Sequence, residues 1–350
     1  RRRHTRYISV TGVQTCALPI SNTPSSASSP SAPPAASSKG QPRPTAKPRR
    51  LAGLTGLLSA TLLALNTLAC FVPIVPLALL KLAVPTPGVH RLVDPWLNGI
   101  ATGWVSRNSR WIARLQPQIW DIEATGDLRL DDWYLVNCNH QSWVDIFVLQ
   151  LALNKRIPLL KFFLKQQLLY VPVIGLAWWA LDFPFMKRYS KARLRKNPAL
   201  GRKDQETARR ACEKFKLVPT SVMVFAEGTR FSPARRQAQS SPYRHLLKPR
   251  AGALATTLNA MGTQFRSMID ATIIYPDGVP SFWDLASGRA GRIVVRIRQI
   301  PIPDSFCGAD YAADKAFRSA FHHWLADQWD AKEDRKSTRL NSSHTDISRM

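Results

Sequence analysis

Acidic residues are scarce. Asp and Glu number 23 against 49 Lys and Arg, for a formal net charge of +26. Setting aside the four arginines of residues 1–20 and the net +3 of residues 335–350 still leaves +19. Such an imbalance points to anionic partners: nucleic acid, an anionic membrane surface or an anionic substrate. Zinc-finger spacing and RNP-type aromatic motifs are both missing, so nucleic acid is not expected among them. The five cysteines (Cys16, Cys70, Cys138, Cys212, Cys307) are scattered, and none forms a CxxC pair. They predict buried thiols in a reducing compartment, with no disulfide or metal role. The chain carries no metal signature, no cofactor motif and no internal repeat.

Methionine is absent before Met186. Residues 1–20 and residues 335–350 resemble translated sequencing-adapter read-through. Both are expected to be foreign to the natural chain and are set aside from the fold reading. Residues 21–50 hold seven prolines among Ser and Ala and end in Lys39, Arg43, Lys47, Arg49 and Arg50. They cannot bury a core and predict a disordered basic linker.

Charge then disappears altogether from Leu51 to Leu80. Leu51 to Val72 as a helix spans about 33 Å, enough to cross a bilayer core. Pro73 and Pro76 are expected to break or kink the helix beyond Val72. The basic cluster before the run places its N-terminal side in the cytoplasm. One crossing would put the rest of the chain outside, whereas a re-entrant or second partial crossing keeps it inside, which is the expectation here. From Arg91 to Leu115, Val93, Leu97, Ile100, Trp104, Trp111 and Leu115 recur at helical spacing, with Arg107, Arg110 and Arg114 on another side. Basic, Trp-rich amphipathic helices lie in membrane interfaces, and the same pattern fits a helix packed on a soluble core. Residues 51–116 are therefore read as membrane-embedded or interfacial helices.

Residues 117–334 read as one α/β domain with a largely parallel central sheet flanked by helices. Strands are predicted at 119–124, 133–136, 182–186, 221–225, 271–275 and 292–298. Helices are predicted at 142–153 (Ser142 as N-cap), 203–217, 252–261 and 311–329, and 161–169 fits either type.

Two strand ends carry chemistry. Trp133 to Val136 runs into Asn137-Cys138-Asn139-His140-Gln141-Ser142-Trp143-Val144-Asp145. A carboxylate that accepts one imidazole N–H fixes the tautomer and leaves the other nitrogen free to take a proton. The spacing alone yields decoys: His322 also has an Asp five positions on, yet sits in a helical run with Phe317, Phe321, Leu325 and Trp329. His140 differs in following a strand end, where catalytic groups of α/β folds gather. The second strand, Val222 to Phe225, runs into Ala226-Glu227-Gly228-Thr229-Arg230. Gly228 admits close approach to the backbone, Thr229 offers a hydroxyl, and Arg230 presents a fork suited to phosphate. Glu227 is expected to orient Arg230 or to bind glycerol hydroxyls.

Together, the His-x-x-x-x-Asp block at 140–145 and the Glu-Gly-Thr-Arg block at 227–230 resemble those of the glycerolipid acyltransferases. Within them the chain is similar to lysophosphatidate (1-acyl-glycerol-3-phosphate) acyltransferases, nearest a lysocardiolipin-acyltransferase-like bacterial branch. Phe163 to Leu168 and Gly175 to Arg188 match that bacterial subgroup. The resemblance covers roughly residues 50–334. It implies His140 and Asp145 as the catalytic pair and Glu227, Gly228, Thr229 and Arg230 on the acceptor's glycerol-phosphate. Arg188 takes the second-block Arg position and Pro276 the fourth-block Pro, while Lys248 and Arg250 both stand where a further phosphate contact falls. It further implies acyl-CoA or acyl-carrier protein as donor, a membrane lysophosphatidate as acceptor, and the cytoplasmic face of a bacterial inner membrane. Ala226 departs from the Pro of many members.

Two rivals belong to other classes. Ser142 near His140 suggests a serine hydrolase, but no GxSxG elbow is present. A non-catalytic adaptor holding anionic lipid on its basic face has no need of the His/Asp pair.

Overall fold

The computed structural model describes residues 52–115, 120–186, 215–307 and 314–347, together with Asn197, Glu206, Thr207, Arg209, Arg210, Cys212, Glu213 and Tyr311. Two long helices come first. Helix α1 (Ala52–Ala83) passes through Pro73 and Pro76 as one continuous helix, so of the expected break or kink the break does not occur. A short turn at 84–86 leads into α2 (Pro87–Leu115), and the two helices pack on each other. Leu54, Leu57, Leu65, Leu68, Val72 and Leu82 of α1 remain exposed, and its length and composition suffice to cross a membrane.

The α/β domain is built on a six-stranded sheet. Its strands are β1 (Trp120–Thr125), β2 (Tyr134–Cys138), β3 (Leu160–Phe162), β6 (Ser221–Phe225), β7 (Ser267–Ile274) and β8 (Ile293–Pro301), in the order β1-β8-β7-β2-β6-β3. Every neighbouring pair is parallel except β7 with β8. A separate ribbon pairs β4 (Leu164–Lys165) with β5 (Phe185–Met186), so the strand expected over 182–186 is only two residues long.

Period-two alternation divides the core between the two faces. On one, Tyr134, Val136 and Cys138 of β2 and Ile269, Ala271 and Ile273 of β7 pack beneath α3 (Val144–Leu153). On the other, Leu135, Val222, Val224 and Met268 meet α6 (Ala251–Met261) and α8 (Lys315–Ile347). Burial on both faces explains why β2, β6 and β7 read as near-continuous apolar runs. Phe317, Phe321, Leu325 and Trp329, at four-residue spacing, lay α8 along this second face. The helix continues past the expected end at Trp329, and the boundary expected at 334 falls inside it. Lys332 and Arg335 account for the extension: their side chains reach Asp270 of β7 at 2.6 and 2.7 Å. The described residues between 206 and 215 are helical, as expected. Short helices α4 (Ile174–Ala180), α5 (Pro233–Ala238) and α7 (Phe282–Ala286) complete the domain.

The helical hairpin is fixed to this domain at both ends of α1. Near its start, Gly56 lies so close to Trp283 of α7 that a Cβ would stand 2.7 Å from the indole ring. Near its end, the buried Lys81 ammonium bonds Asp94 of α2 (2.8 Å), Asp182 (2.6 Å) and the Ala180 carbonyl (2.9 Å). His90 approaches the same Asp94 at 3.5 Å. A buried ammonium is tolerated because two carboxylates and a carbonyl replace its water.

Candidate active site

The two motifs leave the carboxyl ends of adjacent parallel strands. Cys138, the last residue of β2, is in register with Phe225, the last of β6. Open α/β sheets bind ligands at such strand ends. The two turns are joined directly: the Phe231 N–H donates to the His140 carbonyl at 2.7 Å.

Asn139 anchors the first turn. Its fully buried side chain bonds both the N–H and the carbonyl of Ile273 on β7, at 2.8 and 2.9 Å. His140 comes next, with its Nδ1 at 2.8 Å from Asp145 Oδ2. The ring stacks on Phe225, centroids 4.0 Å apart, and 17% of the side chain stays exposed. One face is thus covered and one edge open, so Nε2 is the nitrogen left to meet a substrate.

Asp145 is buried, and donors surround it. Its Oδ2 also accepts the N–H groups of Gln141 (2.6 Å) and Ser142 (2.9 Å), and its Oδ1 accepts the Tyr275 hydroxyl at 2.5 Å. Burial, then the Asp145 charge, hold the Tyr275 phenol well above its ordinary range, so it remains a neutral donor. Ser142, expected as N-cap, lies one residue before the cap position; its Oγ accepts the Val144 N–H at 3.2 Å and its hydroxyl donates to the Pro280 carbonyl at 2.6 Å. Helix α3 opens at Val144 with Trp143 in the cap position. A serine hydroxyl turned to a backbone carbonyl in this way, buried and away from the imidazole, lacks the Ser–His contact that a nucleophile needs.

The second turn presents two faces. Gly228 takes a φ of +69° and lies against Arg250, whose Cδ would be 3.1 Å from an added Cβ. Arg250 caps α6, its N–H donating to the Ala226 carbonyl at 2.7 Å. Thr229 is half-buried and Arg230 exposed, the guanidinium lying 5.3 Å over the ring of Trp143 from the first turn. Gly228, Thr229, Arg230 and Arg250 therefore gather beside the His140 turn. Arg188 lies outside the described residues.

Glu227 is placed differently from its expectation. It is fully buried, beside the His140 backbone N–H and the Lys336 ammonium. Burial pushes its carboxyl up to about 8, opposed by the nearby Lys336 ammonium. So Glu227 sits beneath the turn and does not face a ligand's hydroxyls. The decoy His322 is an exposed residue of α8 bonded to the Tyr311 hydroxyl at 2.7 Å, as its helical setting implied. Tyr275, Asn139 and Phe225 were not legible as site residues. The one available signal was Pro276, which marks the end of β7 immediately after Tyr275.

The His140/Asp145 pair and the Gly-Thr-Arg turn thus lie on neighbouring parallel strand ends of a mostly parallel sheet. Residues 121–278 match the family model described as Acyltransferase. Among curated proteins the chain is similar to 1-acyl-sn-glycerol-3-phosphate acyltransferase delta. It is 24% identical over 184 residues to the human and the mouse protein, which is 49% of this chain and 46% of each relative. The chain thus spans less than half the length of these relatives. Among solved structures it is similar to the 1-acyl-sn-glycerophosphate (LPA) acyltransferase PlsC from Thermotoga maritima. That likeness has a TM-score of 0.42 and 16% identity, and covers 79% of this chain and 97% of the other.

Proposed function

We propose that this protein transfers a fatty acyl chain from acyl-CoA or acyl-carrier protein to the sn-2 hydroxyl of lysophosphatidate, giving phosphatidate. The observation that carries the reading is the direct bond between the two turns. It brings the His140–Asp145 pair and the exposed Arg230 guanidinium to the same end of the sheet. The acceptor's phosphate docks on Arg230, with Arg250 and Arg188 as further contacts, and its hydroxyl is held at His140. Positioning of this kind supplies much of the rate in a ternary complex. His140 Nε2 takes the hydroxyl proton as the oxygen bonds to the thioester carbon. The C–S bond breaks, and the departing thiolate takes the proton back from the imidazolium. Asp145 stabilises that imidazolium, and the donors around Asp145 hold it in place. No metal or resident cofactor enters, since the thioester is itself a substrate.

The reaction is assigned to the cytoplasmic face of a bacterial inner membrane, where acyl thioesters are available. Contact of both ends of α1 with one domain supports a helix laid along the domain in the interface, or re-entrant, over one that carries the chain across. The test is acyl transfer by membranes holding the protein, with labelled lysophosphatidate and each donor in turn. Labelled phosphatidate is expected. Transfer to lysocardiolipin alone would move the assignment to that acceptor, and lipid binding without transfer from any donor would favour the adaptor.

A further inference from the structure

A cavity of about 320 Å³ lies between the helical hairpin and the domain, bounded by α1, α2, α3 and α7. Its size falls within the range of small-molecule pockets, roughly 300–1,000 Å³. Leu62, Leu63, Ile112, Phe147 and Phe282 give it an apolar wall, and no acidic side chain lines it. Arg107, Arg110 and Arg114 line it too. Arg107 is engaged with Asn66 and Cys70, whereas Arg110 and Arg114 are exposed and form no ion pair among the described residues. Asn108 is a further lining residue. It is buried, and its Nδ2 donates to nothing among the described residues. A buried amide left in this state costs free energy unless a ligand oxygen completes it.

The cavity is distinct from the site described above. None of His140, Asp145, Gly228, Thr229, Arg230 and Arg250 lines it. Phe147 is two residues from Asp145, which at 3.6 residues per turn puts it on nearly the opposite side of α3. We propose that this cavity binds one acyl chain of an anionic membrane phospholipid, with the phosphate on Arg110 and Arg114 and an ester carbonyl on Asn108. Each part of the lining meets one part of that ligand: hydrocarbon, negative charge and acceptor oxygen. The exposed leucines of α1 leave the hairpin in contact with the lipid that would supply it. The inference does not depend on the acyl-transfer reading.

The full chain, in neutral detergent, is mixed with dioleoyl phosphatidylglycerol or with dioleoyl phosphatidylcholine and read by native mass spectrometry. One retained phosphatidylglycerol per chain is expected, favoured roughly tenfold or more over phosphatidylcholine, given the typical attraction of two basic side chains for an anionic headgroup. The double variant Arg110→Ala/Arg114→Ala should bind the two lipids alike. Leu63→Trp, which fills the cavity, should lose the adduct with an unchanged melting temperature, and Leu62→Trp fills the same space if that variant does not fold. His140→Ala should keep the adduct. Equal retention of the two lipids by the unmodified chain, wild-type retention by both Trp variants, or loss on His140→Ala would each overturn the proposal.

Discussion

Tyr275→Phe removes one oxygen from the site and nothing else. The phenol is buried, and its hydroxyl donates to Asp145 Oδ1, the oxygen that no backbone N–H and no imidazole reaches. A hydrogen bond to a charged group is worth about 1.5–3 kcal/mol, and here its loss leaves a buried carboxylate oxygen unpaired. For a domain of this size that corresponds to a fall in melting temperature of roughly 3–12 °C. The functional effect should divide unevenly. Tyr275 touches the carboxylate bonded to His140, and the residues proposed to face the phosphate lie on the other turn. In acyl-transfer assays at saturating donor, kcat is expected to fall about tenfold, equivalent to about 1.4 kcal/mol in the barrier. The lysophosphatidate KM should stay within about twofold, since uniform binding is untouched. A variant that melts lower but turns over at the wild-type rate would refute the reasoning, leaving Tyr275 a packing residue. A raised KM with normal kcat would refute it too.

Three other outcomes rest on the same geometry. Arg230→Ala should raise the acceptor KM in steady-state assays with kcat less affected, and an unchanged KM would remove Arg230 from the phosphate site. Lys81→Ala leaves Asp94 and Asp182 facing each other where the hairpin meets the domain. Chemical denaturation should show a loss of about 3–5 kcal/mol, the usual result of breaking a buried pair, and a loss below about 1 kcal/mol would contradict the clamp. Glu227, with its folded pKa pushed up to about 8, holds a proton that the unfolded chain releases near 4.5. Stability from this group is therefore complete below about 4.5 and is lost as pH rises towards 8. In melting curves taken between pH 5 and pH 8, Glu227→Gln should gain on the wild type as pH rises, and a constant difference would sink the argument.

Local pattern carried the strands further than it carried their partners. Ser221–Phe225 was legible to the residue, because a compact apolar run ends abruptly at a Glu-Gly turn. Residues 142–153 were legible as a helix, but its start was placed two residues early. Ser142 has the right chemistry for an N-cap and its Oγ does accept the Val144 N–H, but the cap position falls on Trp143, and the Ser142 hydroxyl is held by a carbonyl 138 positions away. Helix α8 outran its apolar stripe for a similar reason, since Lys332 and Arg335 are held by a carboxylate on β7. The antiparallel turn of β8 was invisible, as alternation has the same period in either direction. In the site, His140, Asp145 and Arg230 were legible because each stands in a short motif after a strand. Tyr275 was not, because its bond to Asp145 spans 130 residues and depends on β7 lying beside β2. Glu227 was legible as important but misplaced, since nothing in Ala-Glu-Gly-Thr-Arg tells which side chain turns inward.

The central claim is that the imidazole of His140 takes a proton from an acceptor hydroxyl. Its most direct test is single-turnover acyl transfer to labelled lysophosphatidate by His140→Ala, alongside a binding measurement for the same acceptor. The claim predicts turnover reduced by roughly 10²-fold or more with acceptor affinity preserved. Turnover near the wild-type value with affinity intact would contradict it.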